Sequence, residues 1–583
     1  MDPFSQSKLL WNPPAPNLSR VEALRRFINR KHGLSLRNYH DLHEYSVSDW
    51  EFWRDLWEFM GILYSVPASQ ILTDGYIKEV PNWFPGARLN YAENLLWRND
   101  DSLAITASDE SGRLVFCSFR ELRVKVGKMA AALKVKGLRP GDRVAGLFFP
   151  PIFDVTSNDT LSTAIVSNDI DAVVIVLATA SAGGIFSSTA TDLGTQGILD
   201  RYRQIRPKII FSATEVVYAA KTIDLLSKIS DVVKDLTSYG LEHVVLLPSS
   251  KTGKDVSDAV LKTISMSTPL SRFLADGDGR PLVFEQLPFN HPLYILYSSG
   301  TTGAPKCIVH SAGGALMQPK KELMIQADLN ADDTYFQYTT TGWMMWPFML
   351  VGLSAGTRLI LYDGSPFHPD VRTYLKFIND QGVTAFGTSP RFLAEVQGRG
   401  GKPLDIGPFE ALRVICVTGA VLTAPLFEWA HHAFGGNKRV SSTSGGTDVC
   451  TSFVTTVVTL PVHTGGSSSA ILDSSRALAD RHARAEISGK ALGMKIEIFD
   501  PSGQNVENTG QPGELVCTRA HPSLPVKFWG DDAKGTKFLK SYFDVYPGIW
   551  RHGDFIAKNP RTQGLVIYGR RYTSFLSPLP AAH

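Results

Sequence analysis

One stretch narrows the fold more than any other. Residues 293–306 read LYILYSSGTTGAPK. Leu293 to Tyr297 is apolar and β-prone, and it stops abruptly in Ser298, Ser299, Gly300, Thr301 and Thr302. An apolar run that ends in glycine and hydroxyls predicts a buried strand running into a tight loop. Gly300 and Gly303 allow φ > 0 and a close approach of backbone to a ligand. Successive N–H groups in such a loop form an anion-binding nest. The hydroxyls can donate to phosphate oxygens, and Lys306 brings a mobile positive charge. The loop therefore reads as a grip on a polyphosphate. It is not the G-x-x-x-x-G-K-[ST] pattern, because Lys306 follows Pro305 and precedes Cys307. A hydroxyl-rich loop alone reads as a plain surface turn; the strand, the two glycines, the proline and the lysine together favour phosphate.

The chain around this loop is long enough for a large core. With 583 residues and 43% hydrophobic content, more than one domain is expected. Lys and Arg number 59 against 56 Asp and Glu, a balance that gives no footprint for nucleic acid. Cys117, Cys307, Cys416, Cys450 and Cys517 are scattered and odd in number, which suits a reducing, cytoplasmic setting without structural zinc. Residues 1–20 lack a basic-then-apolar leader pattern. The longest apolar run, Ala172 to Phe186, is too short to span a membrane and reads as a buried helix. The closing Ala581–Ala582–His583 is not a peroxisomal address. No integral membrane segment is expected, and spacing does not fix an oligomeric state.

From about residue 100 strands and helices alternate, the rhythm of an α/β fold with parallel sheets. Strands are expected at Leu114–Ser118, Arg143–Phe149, Lys208–Phe211, His243–Leu247, Arg358–Tyr362, Ala385–Phe386 and Leu412–Thr418. Helices are expected at Val21–Lys31, Leu122–Leu138, Asp171–Ala182 and Ile198–Ile205. In residues 45–60, YSVSDWEFWRDLWEFM, Trp50, Phe52, Trp53, Leu56, Trp57 and Met60 suit one face of a helix whose start Ser48 could cap. Its aromatic stripe reads as core packing. Lys495–Asp500 and Gly513–Thr518 read as two antiparallel strands.

Four more segments carry candidate chemistry. In YTTTGWMMWP, Tyr338 to Pro347, a polar edge precedes Trp343 and Trp346, which taken alone read as core. In VTGA, Gly419 and Ala420 follow a strand, where open α/β sheets bind ligands, although a bare turn competes. In TSGGTDV, Gly445 and Gly446 free the backbone, Thr447 offers a hydroxyl and Asp448 a carboxylate. Beside a triphosphate Asp448 reads as a Mg²⁺ ligand; alone it reads equally as an Asx turn. In WRHGDF, Gly553 places Asp554 in a tight turn, where a carboxylate can accept from both ribose hydroxyls. His552 reads as solvent-facing or satisfied.

YSSGTTGAPK resembles the signature loop of the adenylate-forming superfamily, the acyl-CoA synthetases, and IVHSAGG after it is most similar to the branch that activates acetoacetate. Residues 45–60 and PNWFPGARLNYAENLL at 81–96 resemble the N-terminal extension of that branch. The resemblance implies a large adenylation domain of parallel-sheet subdomains with a small distorted β-barrel. It implies ATP, Mg²⁺ and CoA as partners, with acetoacetate as the acid. Ser298, Ser299, Gly300, Thr301, Thr302, Gly303 and Lys306 would hold phosphates, with Lys306, Thr302 and Asp448 catalytic and Asp448 on Mg²⁺. Gly419 and Ala420 would flank the base, and Gly445, Gly446 and Thr447 would line the nucleotide. Asp554 and Arg570, of YGR, would hold ribose, and Gly342 with Trp343 would close an acyl pocket suited to a short acid. Ser444 stands where most members have an aromatic residue and Asp448 where they have Glu, a variant shared with the acetoacetate branch.

The expected layout is an N-terminal extension at 1–96, an α/β adenylation domain at 97–490, a β-rich end at 491–570 and an aberrant tail at 571–583. Two segments, 151–168 and 466–485, have no counterpart in the family pattern and are expected as surface insertions or gene-prediction errors. After Arg570 the pattern stops: Arg571 and Tyr572 replace the family's Ser-Asp hinge, and the C-terminal lid with its lysine is not recognisable. The sequence leaves three readings: an acetoacetate–CoA ligase, a ligase for acetate or butyrate, and a non-catalytic nucleotide- or acyl-binding protein. The 583-residue chain is expected to form acyl-CoA weakly or not at all, since lid closure supplies positioning and water exclusion. Rapid acyl-CoA formation by the purified chain, followed by mass spectrometry, contradicts that expectation.

Overall fold

The strands at the heart of the two parallel sheets are covered on both faces. Ile209–Ser212, Ala385–Thr388 and Arg439–Ser442 are buried along their whole length, as strands covered on both sides must be. The structure, a computed structural model, describes residues 4–5, 7–148, 168–190, 194–249, 251–298, 304–465 and 484–569.

The first sheet has eight strands, in the order Ser267–Pro269, His243–Leu246, Ile209–Ser212, Arg143–Phe148, Ile185–Ala190, Pro292–Ser298, Lys306–Ser311 and Lys527–Phe528. It is parallel as far as Pro292–Ser298, then closes with antiparallel pairs. The second sheet has seven strands, in the order Arg439–Ser442, Val414–Val417, Ala385–Thr388, Thr334–Gln337, Arg358–Asp363, Leu103–Asp109 and Leu114–Ser118. It is parallel except for its last strand, which forms a hairpin with Leu103–Asp109. The third sheet is antiparallel, in the order Glu486–Ile487, Leu565–Gly569, Trp550–Lys558, Gly513–Cys517 and Ile496–Phe499.

Helix boundaries follow their caps. Phe119–Val135 starts at Ser118, where a reciprocal capping box with Glu121 satisfies two end groups. Ile170–Ser181 starts at Asp169, whose carboxylate accepts from the Ala172 N–H at 3.0 Å. From Ala172 to Ser181 every residue of that helix is buried, as an all-round apolar helix requires. Among the described residues no helix is long and apolar enough to cross a membrane.

Residues 39–59 form two helices, Tyr39–Ser48 and Glu51–Phe59, and the second is the helix expected there. Ser48 ends the first rather than capping the second; its hydroxyl donates to Glu44 at 2.8 Å. Asp49 instead accepts from the Glu51 N–H at 2.9 Å. Phe52, Trp53, Leu56 and Trp57 are buried, so the aromatic stripe is core. The interiors of 151–168 and 466–485 lie outside the described residues, but one end of each is inside the protein. Asn168 accepts from Trp346 Nε1 at 2.8 Å, and Ala485 is 5% exposed.

The helix Ala312–Lys320 contains Pro319, which lacks the N–H that an inner turn uses, and the chain widens into a π turn at Lys321–Gln326. Lys321 is fully buried there and donates to Gln318 Oε1 at 2.7 Å and to the Leu492 carbonyl at 2.9 Å. Burial pushes its amine down to about 8, against a smaller pull from Glu322. Between that value and the unfolded value of 10.5 the unfolded chain binds more protons, so this lysine makes stability rise with pH. Lys321→Met is therefore expected to flatten the pH dependence of urea unfolding between about pH 8 and 10.5, by up to ~1.4 kcal/mol per pH unit.

Candidate active site

The phosphate-loop strands form a hairpin. Pro292–Ser298 pairs antiparallel with Lys306–Ser311, and Ser298 faces Lys306 across it. Ser299, Gly300, Thr301, Thr302 and Gly303 lie outside the described residues, as does Arg570. Lys306 emerges beside two rings, its Nζ 5.0 Å from the centroid of Tyr542 and 5.7 Å from that of Phe528. The Tyr542 hydroxyl donates to Asp448 Oδ1. Tyr542 is held in turn by Trp550, stacked at 3.8 Å and 15°. Lys306 and Asp448, 142 positions apart in the chain, thus meet on either side of one tyrosine.

Asp448 sits in the turn of a hairpin in which Ser444–Gly446 pairs with Thr451–Thr455. The sequence reading gave Gly445 and Gly446 backbone freedom as their reason; neither has a positive φ. Close packing is the reason instead. A Cβ on Gly445 would lie 2.1 Å from the Thr451 carbonyl oxygen, and one on Gly446 would lie 2.8 Å from His552 Cε1. His552 is therefore not solvent-facing: its side chain is 1% exposed, its ring lies 4.5 Å from Phe453, and its Nε2 is 3.4 Å from Asp554 Oδ2. Behind the hairpin, His310 is buried, and its imidazole is pushed down to about 4 by burial, partly offset by Asp448.

Asp554 does not sit in a turn. It belongs to the strand Trp550–Lys558, in which Arg551 pairs with Val516 and Phe555 with Glu514. His552, Gly553 and Asp554 form the extra length of a bulge, with Gly553 at φ +91°. The bulge turns the Asp554 carboxylate into a cavity of about 440 Å³.

This cavity collects most of the described residues among those singled out by sequence. Trp343, Gly419, Ala420, Gly445, Gly446, Thr447 and Asp554 all line it. Gly419 has φ +94°, and a Cβ there would lie 3.2 Å from Trp343 Cη2, so the indole covers bare backbone. Of the two tryptophans read as core, Trp346 is core at 1% exposure and Trp343 is cavity wall. Gly342, expected in the acyl pocket, does not line the cavity; it belongs to the turn that aims Trp343. Ser298, Lys306 and Asp448 are not on its wall; Asp448 adjoins the wall residue Thr447 in the chain, and Tyr542 joins Asp448 to Lys306.

Three wall or neighbour residues went unnoticed in the sequence. Glu322, on the π turn, is buried and accepts from Thr451 Oγ1, from the Ser452 N–H at 2.6 Å and from Ser452 Oγ at 2.6 Å. Gln337, at a strand end, is fully buried. Tyr542 bridges Lys306 and Asp448. The one available signal was Pro319 inside a helix, since a broken helix often marks a site.

A mostly apolar cleft at the carboxyl ends of parallel strands, with one bulge carboxylate and bare backbone turns on its wall, is the geometry of a nucleotide-binding α/β enzyme. Residues 162–523 match the family described as AMP-binding enzyme, and residues 39–95 match acetyl-coenzyme A synthetase N-terminus. Acetoacetyl-CoA synthetase of Danio rerio is 39% identical over 97% of this chain and 78% of its own length. Malonamoyl-CoA synthetase of Penicillium aethiopicum is 34% identical over 98% of this chain and 75% of its own. The solved acetoacetyl-CoA synthetase from Streptomyces lividans superposes with a TM-score of 0.83 at 35% identity, covering 97% of this chain and 80% of that one. The chain belongs to the AMP-binding enzyme family, and within it to the group that holds the acetoacetyl-CoA synthetases. It is an acid–thiol ligase by that membership.

The Gly446–His552 contact makes a direct test. Gly446→Ala is expected to destabilise the protein by about 1–3 kcal/mol in urea titrations, as overpacking does. Gly398→Ala, where a Cβ meets nothing within 4 Å, is the control and should stay within about 0.5 kcal/mol of the parent.

Proposed function

We propose that this protein joins acetoacetate to CoA through an acyl-adenylate made from ATP. The observation that carries this reading is the meeting of Asp554, Thr447, Gly419 and Trp343 on one cavity, with Lys306 and Asp448 beside it. The relatives' names support the acid. Acetoacetyl and malonamoyl groups both carry a carbonyl at carbon 3 of a short chain.

On this reading adenine lies along Gly419–Ala420, and the ribose hydroxyls donate to Asp554. The triphosphate reaches toward the hairpin loop and Lys306. The acid carboxylate attacks the α-phosphate, pyrophosphate leaves, and the CoA thiol then displaces AMP. Charge builds up on phosphoryl oxygens, so N–H donors and cations fixed beforehand lower the barrier. Lys306 lies against aromatic faces, which hold its ammonium without neutralising it. The oxygen of Asp448 that faces away from Tyr542 would be offered to Mg²⁺. Among the described residues no three His, Cys, Asp or Glu side chains converge on a metal site. Mg²⁺ here would therefore take most of its ligands from phosphates and water, as it usually does, and would supply charge neutralisation. The antiparallel sheet that carries Asp554 would correspond to the family's small barrel.

ATP–pyrophosphate exchange with acetoacetate, acetate and butyrate separates the ligase readings from one another. Nucleotide binding without exchange for any of the three would favour a non-catalytic binding protein. Asp554→Ala is expected to weaken AMP binding by about ten- to a hundredfold in calorimetry. It should leave the affinity for 2′,3′-dideoxy-AMP unchanged. Equal loss for both nucleotides would remove Asp554 from the ribose.

A further inference from the structure

We infer that Gln337 sets which acid the cavity accepts, by donating a hydrogen bond to an oxygen on carbon 3 of the acyl chain. The inference rests on reading the cavity as an acyl-adenylate site.

The second sheet gives the cavity a depth scale. Its strands are parallel and in register, so their cavity-facing residues fall into rows. Thr418 lies in the row nearest the carboxyl ends. Gln337 and Cys416 lie in the row below, aligned through Gly387. Tyr335, Ala385 and Val414 form the floor. Strands rise about 3.3 Å per residue, so successive rows are about 6.6 Å apart. If the reacting carboxyl lies at the uppermost row, carbon 3 is two C–C bonds further in, about 2.5 Å. A carbonyl oxygen there, plus a hydrogen bond of about 2.9 Å, spans most of the distance to the middle row. Gln337 is the long polar side chain at that depth.

The surroundings keep this amide in place and leave it a spare donor. The Tyr335 hydroxyl donates to Gln337 Oε1 at 3.3 Å. A Cβ on Gly387 would lie 1.9 Å from Oε1, so the neighbouring strand is bare where the amide lies. Nε2 carries two hydrogens, and its contact within the protein is a long one, 3.4 Å to the carbonyl of Tyr338. A fully buried amide with an underused N–H favours a ligand that brings an acceptor and disfavours one that brings a methylene. Glu322 on the facing wall already takes its donors from Thr451 and Ser452. Its charge opposes a second carboxylate and leaves a neutral carbonyl as the fitting group. Acetoacetate has that carbonyl; butyrate, of the same length, does not.

Calorimetry with three probes tests this without requiring turnover: AMP, acetoacetyl-sulfamoyl-adenosine and butyryl-sulfamoyl-adenosine. The parent protein is expected to bind the acetoacetyl compound at least about tenfold more tightly than the butyryl one. Gln337→Leu should bring that ratio below about threefold, chiefly by weakening the acetoacetyl compound, with AMP affinity unchanged. Gln337→Glu keeps the size, replaces the donor with an acceptor, and should lose the preference too; it decides the matter should the leucine variant fail to fold. A preference that survives both substitutions, or a parent that shows none while binding AMP, overturns the role of Gln337. A parent that binds neither AMP nor either adenosine compound overturns the adenylate-site reading and this inference with it.

Discussion

The ring of His552 occupies the space a side chain at residue 446 would need, and the site depends on that contact. One partner is a hairpin of the region that follows the second sheet; the other is a bulge in the antiparallel sheet. Their contact sets Thr447 and Asp554 on the same cavity wall. Neither sheet builds the site alone. The parallel strands supply backbone ends and a floor, and the bulge supplies the carboxylate. Glycine at 446 and the bulge at 552–554 are one feature seen from two sides.

A second linkage runs through Tyr542. Stacking on Trp550 fixes the ring, the ring faces the ammonium of Lys306, and the hydroxyl is given to Asp448. Opposite charges are thereby held near each other with an aromatic spacer between them. Burial depresses His310 behind the same hairpin, so the imidazole adds no positive charge there at neutral pH.

The fold was legible where local signals agree with tertiary context. Apolar runs marked Arg143–Phe148, Ile209–Ser212, His243–Leu246, Arg358–Asp363, Ala385–Thr388 and Val414–Val417, but Ile185–Ala190, Leu103–Asp109, Thr334–Gln337 and Arg439–Ser442 went unmarked. At residues 45–60 the aromatic face was legible, since Phe52, Trp53, Leu56 and Trp57 all lie in Glu51–Phe59, but the cap was not: Ser48 closes the helix before it, and Asp49 accepts from the Glu51 N–H. The site was legible as motifs but not as geometry. Gly419, Thr447 and Asp554 were visible as turn-like triplets, yet a bulge and a turn share the same His-Gly-Asp spelling. Apart from Pro319 near Glu322, nothing local marked Glu322, Gln337 and Tyr542, since each acts through partners at least 94 residues away or through a neighbouring strand. A buried glutamine in a strand reads as ordinary polarity until the facing Gly387 and the cavity are seen together.

In the proposed reading the chemistry follows from one placement: the nucleotide lies between the Gly419 turn and the His552–Asp554 bulge. A crystal structure with bound AMP tests it most directly. The account predicts both ribose hydroxyls within about 3 Å of the Asp554 carboxylate, with adenine beside Gly419–Ala420 and the phosphate directed toward Lys306. Nucleotide bound elsewhere, or bound in the cavity with its ribose turned away from Asp554, would contradict it.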